Sequence, residues 1–418
     1  MNRRNYVAVI GSVGAAIALA LGNVAHADEA KAPTISKCLL KPLKDAQDAM
    51  KKKDYPTEIQ KIQQAQAQAC AKTPYDNYVM NSWLGVAFLS TKDYASAAPA
   101  LQAAGMSQYS TVGQRQQMLR AVVSIYAQLH QNAKTVEAGQ AAIKAGITDA
   151  DIYVTVAVSQ DQMGQHKDAA ETIQSVIDKE PKPEEKYLQF QWDAYIKAND
   201  QADANKVIDK LVTYYPKPDY WLNALQPLLK MTISDAHLQL NVYRLMFDVG
   251  VLTQPHDAGD MAGLDFDAGY PGETVQVLQK AFDAKIFTDQ RDVLRYQHLL
   301  QTSMMKAQTD QASLGAQQAK AAGDASGDGL VAVGTAYLTY GQADKAVSAI
   351  TQGIAKGGLR RPDEANLLLG IAQLRNHDTE AAHRAFETVA GSSDQAYAQL
   401  GRLWELHMQN HAAAHAAA

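Results

Sequence analysis

Leu84-Gly85-Val86-Ala87-Phe88-Leu89-Ser90-Thr91-Lys92-Asp93-Tyr94-Ala95-Ser96-Ala97-Ala98-Pro99-Ala100-Leu101 carries the spacing that decides the fold. Gly85 and Phe88 precede a polar break at Lys92-Asp93, and Ala97, Leu101 and Ala104 follow it. The same order returns at Val333-Gly334, Tyr337, Gly341, Ala346, Ile350 and Gly353. It returns again at Leu369-Gly370, Ala382, Phe386 and Val389. Degenerate copies run through Ala157, Gly164, Ala169, Ile173, Val176 and Pro181, and through Trp192, Tyr195, Ala204, Ile208, Leu211 and Pro216. The small residue or its equivalent stands at 85, 123, 157, 192, 262, 334 and 370, in steps of 38, 34, 35, 70, 72 and 36. The two long steps are double, so each is expected to hide one weak repeat. A period of about 34 to 36 residues is that of a two-helix unit.

The residue types explain the spacing. Glycine in a helix interior costs about 1 kcal/mol against alanine, so Gly85, Gly334 and Gly370 must each allow a close helix crossing. Ala97, Ala346 and Ala382 are the small partners expected on the second helix, with Tyr94, Leu101, Ile350 and Phe386 filling the space between neighbouring hairpins. Gly164 and Gly341 fit the turn inside a hairpin. Pro181 and Pro216 end second helices, since proline cannot continue one. Few β-branched runs and much Ala and Gln suit helices throughout.

This spacing resembles the tetratricopeptide repeat. The resemblance covers about residues 39 to 396 and implies an all-α, right-handed α-solenoid of roughly ten hairpins. A last amphipathic stretch with Tyr397, Leu400, Leu403, Trp404 and Met408 reads as a C-terminal capping helix, which a solenoid needs because its end repeat has no neighbour. The chain is also similar to a group of proteobacterial periplasmic repeat proteins. That likeness rests on Thr73-Pro74-Tyr75, Tyr214-Tyr215-Pro216-Lys217-Pro218-Asp219-Tyr220-Trp221, Val242-Tyr243-Arg244-Leu245 and Gly353-Ile354-Ala355-Lys356-Gly357-Gly358. It implies a periplasmic compartment and a setting near energised outer-membrane transport, and it implies no substrate.

The N-terminus agrees with export. Arg3 and Arg4 precede an apolar run from Val7 to Gly22, and Ala25-His26-Ala27 offers small residues before Asp28. That order is a secretory signal, so residues 1–27 are expected to be a cleavable signal peptide. The apolar run is shorter than the ~20 residues of a membrane span, and no membrane span is expected in the mature chain. The expected domains are then the solenoid over 28–410 and a disordered Ala/His tail over 411–418. The formal charge of −5 becomes more acidic once Arg3 and Arg4 are removed, which disfavours nucleic acid.

Cys38 and Cys70 are the only cysteines. Cys38 lies just before a first helix expected at about Leu39 to Lys52, and Cys70 closes a second expected at about Thr57 to Cys70. In an antiparallel hairpin turning at Asp54-Tyr55-Pro56 these ends are neighbours, so in an oxidising compartment one disulfide is expected.

Motifs for chemistry are sparse. Asp324-Ala325-Ser326-Gly327-Asp328-Gly329 opens like a calcium loop, but the twelfth position is Thr335 where a bidentate Glu is needed. It reads as a capping linker. His407, His411 and His415 share a helical face, yet they sit in an alanine-rich chain end and read as tail. Asp257, Asp260, Asp265 and Asp267 read as a solvated face. The aromatic run from Tyr214 to Trp221 reads as packing at a joint between repeats, with sugar stacking as the other reading. No catalytic residue, cofactor site or metal site is assigned, and the chain is not read as an enzyme.

Stacked hairpins line an inner face with their first helices, which suits an extended peptide or a helix. The tetratricopeptide mode that grips a C-terminal carboxylate uses Lys and Asn one turn apart. The matching pairs here are Ser82/Val86, Arg120/Ser124, Val154/Val158 and Gln189/Asp193, so that mode is not implied. The most polar inner patch is Asp161, Gln162, Gln189, Asp193 and Lys197, expected to meet a protein or peptide partner. The function expected is a periplasmic scaffold or adaptor serving an envelope complex. The alternative is an accessory factor that binds carbohydrate or cell-wall material.

Overall fold

A computed structural model describes residues 33–417, with side chains through 410. The expected signal peptide over 1–27 and its cleavage after Ala27 lie outside the described residues. Among the described residues the secondary structure is helical, with no strand. It opens on a 3-10 turn, Lys37–Leu39, and four hairpins follow. These are α1 (Leu40–Lys51) with α2 (Tyr55–Gln66), α3 (Pro74–Ser90) with α4 (Tyr94–Gly105), α5 (Val112–Gln128) with α6 (Asn132–Lys144), and α7 (Ala150–Gln162) with α8 (His166–Ile177). Helix α9 (Glu185–Lys197) completes a first compact unit that ends at Ala204. Helix α10 (Gln201–Tyr214) leads into the second unit, Asn205–Ala418.

The second unit holds α11 (Pro218–Met231) with α12 (Ala236–Asp248), α13 (Pro255–Asp267) with α14 (Pro271–Asp283), and the single helix α15 (Gln290–Gly323). Then come α16 (Asp328–Thr339) with α17 (Ala343–Lys356), α18 (Pro362–Arg375) with α19 (Thr379–Ala390), and α20 (Gln395–Ala417). Helix α20 runs on to Ala417, within the stretch expected to form a disordered tail.

Every hairpin turn but that of α11 and α12 shares one device. A residue at positive φ ends the first helix: Lys53, Lys92, His130, Gly164, Gly269, Gly341 and His377. The next N–H then reaches back to a carbonyl five residues earlier, as from Asp93 to Phe88 at 2.9 Å, from Gln165 to Gln160 at 2.9 Å and from Asp378 to Gln373 at 2.9 Å. This satisfies carbonyls the helix end leaves open. Where that residue is aspartate, its carboxylate also caps the second helix, as Asp93 does for Ser96 N and Asp378 for Ala381 N.

The glycine positions are close crossings. A Cβ on Gly85 would lie 2.5 Å from Leu101 Cδ2, one on Gly334 2.4 Å from Ile350 Cγ1, and one on Gly370 2.5 Å from Phe386 Cε1. In each case the partner stands sixteen residues downstream. Leu101, Ile350 and Phe386 therefore lie over the glycine of their own hairpin, not only between hairpins as expected. Ala97, Ala346 and Ala382 are fully buried beside them.

Two features depart from a uniform array. The step of 70 residues does conceal a hairpin, α11 with α12. The step of 72 residues holds α15, 34 residues long, where a hairpin was expected. It has few buried positions, Tyr296, Ser303, Leu314 and Ala321. The second unit also closes on itself. Helix α20 packs on α19 and also touches α11 and α12. The residues that bury it are the expected Tyr397, Leu400, Leu403, Trp404 and Met408. It is thus a cap for α19 that is itself covered.

Cys38 and Cys70 are joined in a disulfide. Helix α2 stops at Gln66, earlier than expected, so Cys70 lies in the loop before α3. No helix among the described residues is long and apolar enough to cross a membrane.

Candidate partner-binding surface

Helix α7 buries Ile152, Val156, Ala157, Ser159 and Gln160, and α9 buries Leu188, Gln191, Ala194 and Tyr195. Both helices therefore leave one face outward, and their C-terminal turns meet. Gln189, Asp193 and Lys197 recur every four residues along that face of α9. Buried amides fix the framework beneath. Gln191 Nε2 donates to Ala170 O at 3.0 Å and Gln174 Oε1 at 2.7 Å, and Thr172 Oγ1 donates to Gln160 Oε1 at 2.8 Å.

The structure brings most of the expected patch together. Lys197 Nζ lies 2.9 Å from Asp161 Oδ2 and 2.7 Å from Asp193 Oδ2. Its partial burial opposes the charge, but the two carboxylates outweigh that and hold the ammonium above its ordinary pKa. Asp161 sits in the last turn of α7, where the helix dipole disfavours an acid. Lys197 compensates, and His166 Nδ1 lies 2.7 Å from Asp161 Oδ1. Gln189 Nε2 donates to Glu185 Oε1 at 3.3 Å. Gln162 is exposed on the last residue of α7.

Sequence reasoning missed three members of this surface. His166 joins Asp161 across the α7–α8 turn. Met163 and Ile196 are large apolar side chains, 41% and 39% exposed, and each is the sequence neighbour of a patch residue. Their signal was available, since each adjoins a turn at the polar end of its helix.

The other constellations have structural work. Asp257 and Asp265 are buried, not solvated as expected, while Asp260 and Asp267 are exposed. Asp265 belongs to an internal cluster. Arg244 Nη2 reaches Glu273 Oε2 at 2.7 Å, Arg244 Nη1 donates to Asn241 Oδ1 at 2.9 Å, and Asn241 Nδ2 donates to Glu364 Oε1 at 3.1 Å. Burial, then repulsion from Glu273, raises the Asp265 carboxyl well above its ordinary range. Burial works the same way on Glu273, yet Arg244 overrides it and keeps that carboxyl low. The cluster ties α12, α13, α14 and α18 together. Its signal was an arginine within the otherwise apolar Val242-Tyr243-Arg244-Leu245-Met246.

His407 is buried and hydrogen-bonded to Asp248, so it is not part of a frayed tail. Trp221 and Tyr220 of the aromatic run are buried, and Trp221 meets the His407 ring edge-on at 6.0 Å. Asp328 accepts from Arg360 N at 3.1 Å and Arg360 Nε at 3.0 Å, the role of a linker residue. Among the described residues no group of three or more His, Cys, Asp or Glu is arranged to hold a metal ion. An open groove of about 600 Å³ runs beside α15, lined by Phe266, Pro271, Met305, Lys306 and Asp310 among others.

No protein-family model matches the sequence, and no curated protein matches it. Among solved structures, the chain is similar to a tetratricopeptide repeat protein from Parabacteroides merdae. The identity is 12%, the match covers 78% of this chain and 98% of that one, and the TM-score is 0.28. It is also similar to a mutant of MamA, at 14% identity over 42% of this chain and 91% of that one, with a TM-score of 0.29.

Proposed function

We propose that this chain is an exported, non-catalytic scaffold that binds a protein or peptide partner in the periplasm. The observation that carries the reading is the surface where α7 meets α9. Lys197 is fixed between Asp161 and Asp193, with Gln162, Met163 and Ile196 exposed around it. Surface ion pairs contribute little stability, about 0–1 kcal/mol, so three charged groups held in one place serve recognition better than folding. Preorganised charges beside apolar anchors fit a peptide with its own apolar and charged side chains.

Export is supported by the order of residues 1–27, and a setting in an envelope or energised transport complex by the resemblance above. The carbohydrate alternative loses support because Tyr220 and Trp221 are buried, which leaves only the half-buried Tyr214 and Tyr215 of the aromatic run. Affinity capture from cross-linked periplasm tests the reading. A defined protein should be recovered with the wild-type chain and lost with Lys197→Glu. Recovery that does not respond to Lys197→Glu would contradict it.

A further inference from the structure

Lysine is the only basic residue between Lys37 and Lys72, and it occurs there eight times. The same stretch has four carboxylates, Asp45, Asp48, Asp54 and Glu58. Glu58 is buried, and burial pushes its carboxyl up to about 7. From Thr73 to the end the chain has 28 basic residues against 38 acidic ones. The first hairpin is thus strongly positive in a chain that is otherwise negative.

Helix α1 sorts these lysines onto one side. Leu43, Ala46 and Ala49 are buried, while Leu40, Lys41, Lys44, Gln47 and Lys51 are exposed. At 3.6 residues per turn, Lys41, Lys44, Lys51 and Lys52 fall within roughly 100° of arc opposite the buried residues, with Leu40 beside that arc and the exposed Asp48 inside it. Lys53 continues the stripe into the turn. Asp48 offsets Lys51 at 3.6 Å, and Asp45 stands 4.0 Å from Lys61. Among the described residues no carboxylate lies within ion-pair distance of Lys41, Lys44, Lys52 or Lys53. The hairpin is held firmly. The disulfide closes its open end, and Ser36 is bound to Asp76 through N at 3.0 Å and Oγ at 2.6 Å.

A terminal repeat needs a polar outer face in any case, but mixed charges would serve that need. An arc of four lysines against one exposed acid calls for a further cause. We propose that the first hairpin docks the protein on an anionic lipid surface, with Leu40 entering the headgroup layer. Lipid fits better than an acidic protein for three reasons. Clusters of four to eight basic residues suit the field of anionic headgroups. Lysine is a point charge suited to a diffuse field, whereas paired carboxylates are better met by arginine, and protein interfaces are depleted of lysine. An exposed leucine beside the stripe adds the apolar contact that interfacial helices use. This surface is separate from the α7–α9 patch, and either can hold without the other.

The test uses the exported full chain with vesicles of equal parts phosphatidylglycerol and phosphatidylcholine, and with phosphatidylcholine alone. Sedimentation should show binding to the anionic vesicles only, weakening as salt rises. Each of Lys41→Glu, Lys44→Glu and Lys51→Glu should lower the partition by at least about five-fold. Lys92→Glu with Lys144→Glu, which changes net charge elsewhere, should leave it unchanged. Unaltered urea midpoints separate this loss from misfolding. No binding of the wild type, equal binding to phosphatidylcholine, or equal loss in the control would each overturn the proposal. So would stripe-dependent capture of an acidic protein without vesicle binding.

Discussion

His407 Nε2 is hydrogen-bonded to Asp248 Oδ2 at 2.8 Å, joining side chains 159 residues apart. Arg375 pairs with the other oxygen of the same carboxylate. Trp221 and Trp404 stand edge-on to the histidine ring, at 6.0 Å and 5.6 Å. Two further links join the same parts of the chain: Arg361 Nη1 to Asp235 Oδ2 at 2.8 Å, and His237 Nδ1 to Glu364 Oε1 at 3.2 Å. In an open array each repeat meets only its neighbours. Here α12 meets α18 and α20, so the second unit is expected to unfold in one transition, which a single urea midpoint reported by Trp221 and Trp404 fluorescence would check.

Asp248→Asn is expected to destabilise that unit by roughly 1.5–3 kcal/mol at neutral pH, the range for hydrogen bonds to a charged group. Burial opposes ionisation of Asp248, but His407 and Arg375 prevail and hold its pKa below the ordinary value. A depressed carboxylate contributes stability above its unfolded pKa, near 3.9, and loses it as pH falls through the folded value. Urea unfolding should therefore separate wild type from Asp248→Asn at pH 7, and the gap should narrow below about pH 4.

Asp265 has the opposite sign. Its folded pKa is raised, so the unfolded chain ionises first and stability falls as pH rises from about 4 toward the folded value. Asp265→Asn removes that loss, and the variant should gain on wild type between pH 4 and pH 7. Arg244→Met should cost roughly 3–5 kcal/mol, because it leaves Glu273 buried and unpaired. Equal effects of the two substitutions would refute the assignment of charge in this cluster.

Gly370→Ala should lower the melting temperature, and Gly370→Leu should cost roughly 1–3 kcal/mol through overpacking against Phe386. Gly315, inside α15, has nothing within 4 Å of an added Cβ. Gly315→Ala should therefore stabilise by roughly 0.5–1 kcal/mol. Thermal melts of the three variants check both signs.

The glycine positions show how much of the fold was legible. Gly85, Gly334 and Gly370 are visible in sequence because a helix tolerates glycine only where backbones approach. The lone helix α15 was misread because 34 residues occupy the same length as a hairpin. The clue was present, as Gln290–Gly323 has no proline and no turn dipeptide. Closure of the second unit was not legible, since nothing local pairs Asp248 with His407. For the same reason His407 looked like tail and Asp265 like surface. The polar stripe on α9 could be read from its four-residue spacing, whereas the exposure of Met163 and Ile196 depends on packing beneath them.

Removing the disulfide by Cys38→Ser with Cys70→Ser should cost roughly 3–4 kcal/mol if chain entropy dominates. The loss should be confined to the first hairpin. Hydrogen exchange should quicken in α1 and α2 and stay unchanged in α16 to α19.

The central claim is that the surface between α7 and α9 receives a protein partner. A photoreactive residue placed at Gln162 or Ile196 in the exported chain, with Glu137 and Lys144 on α6 as controls, tests it most directly. The account predicts an adduct of one defined mass from positions 162 and 196, none from 137 or 144, and its disappearance with Lys197→Glu. No adduct at 162 and 196, or the same adducts at all four positions, would contradict it.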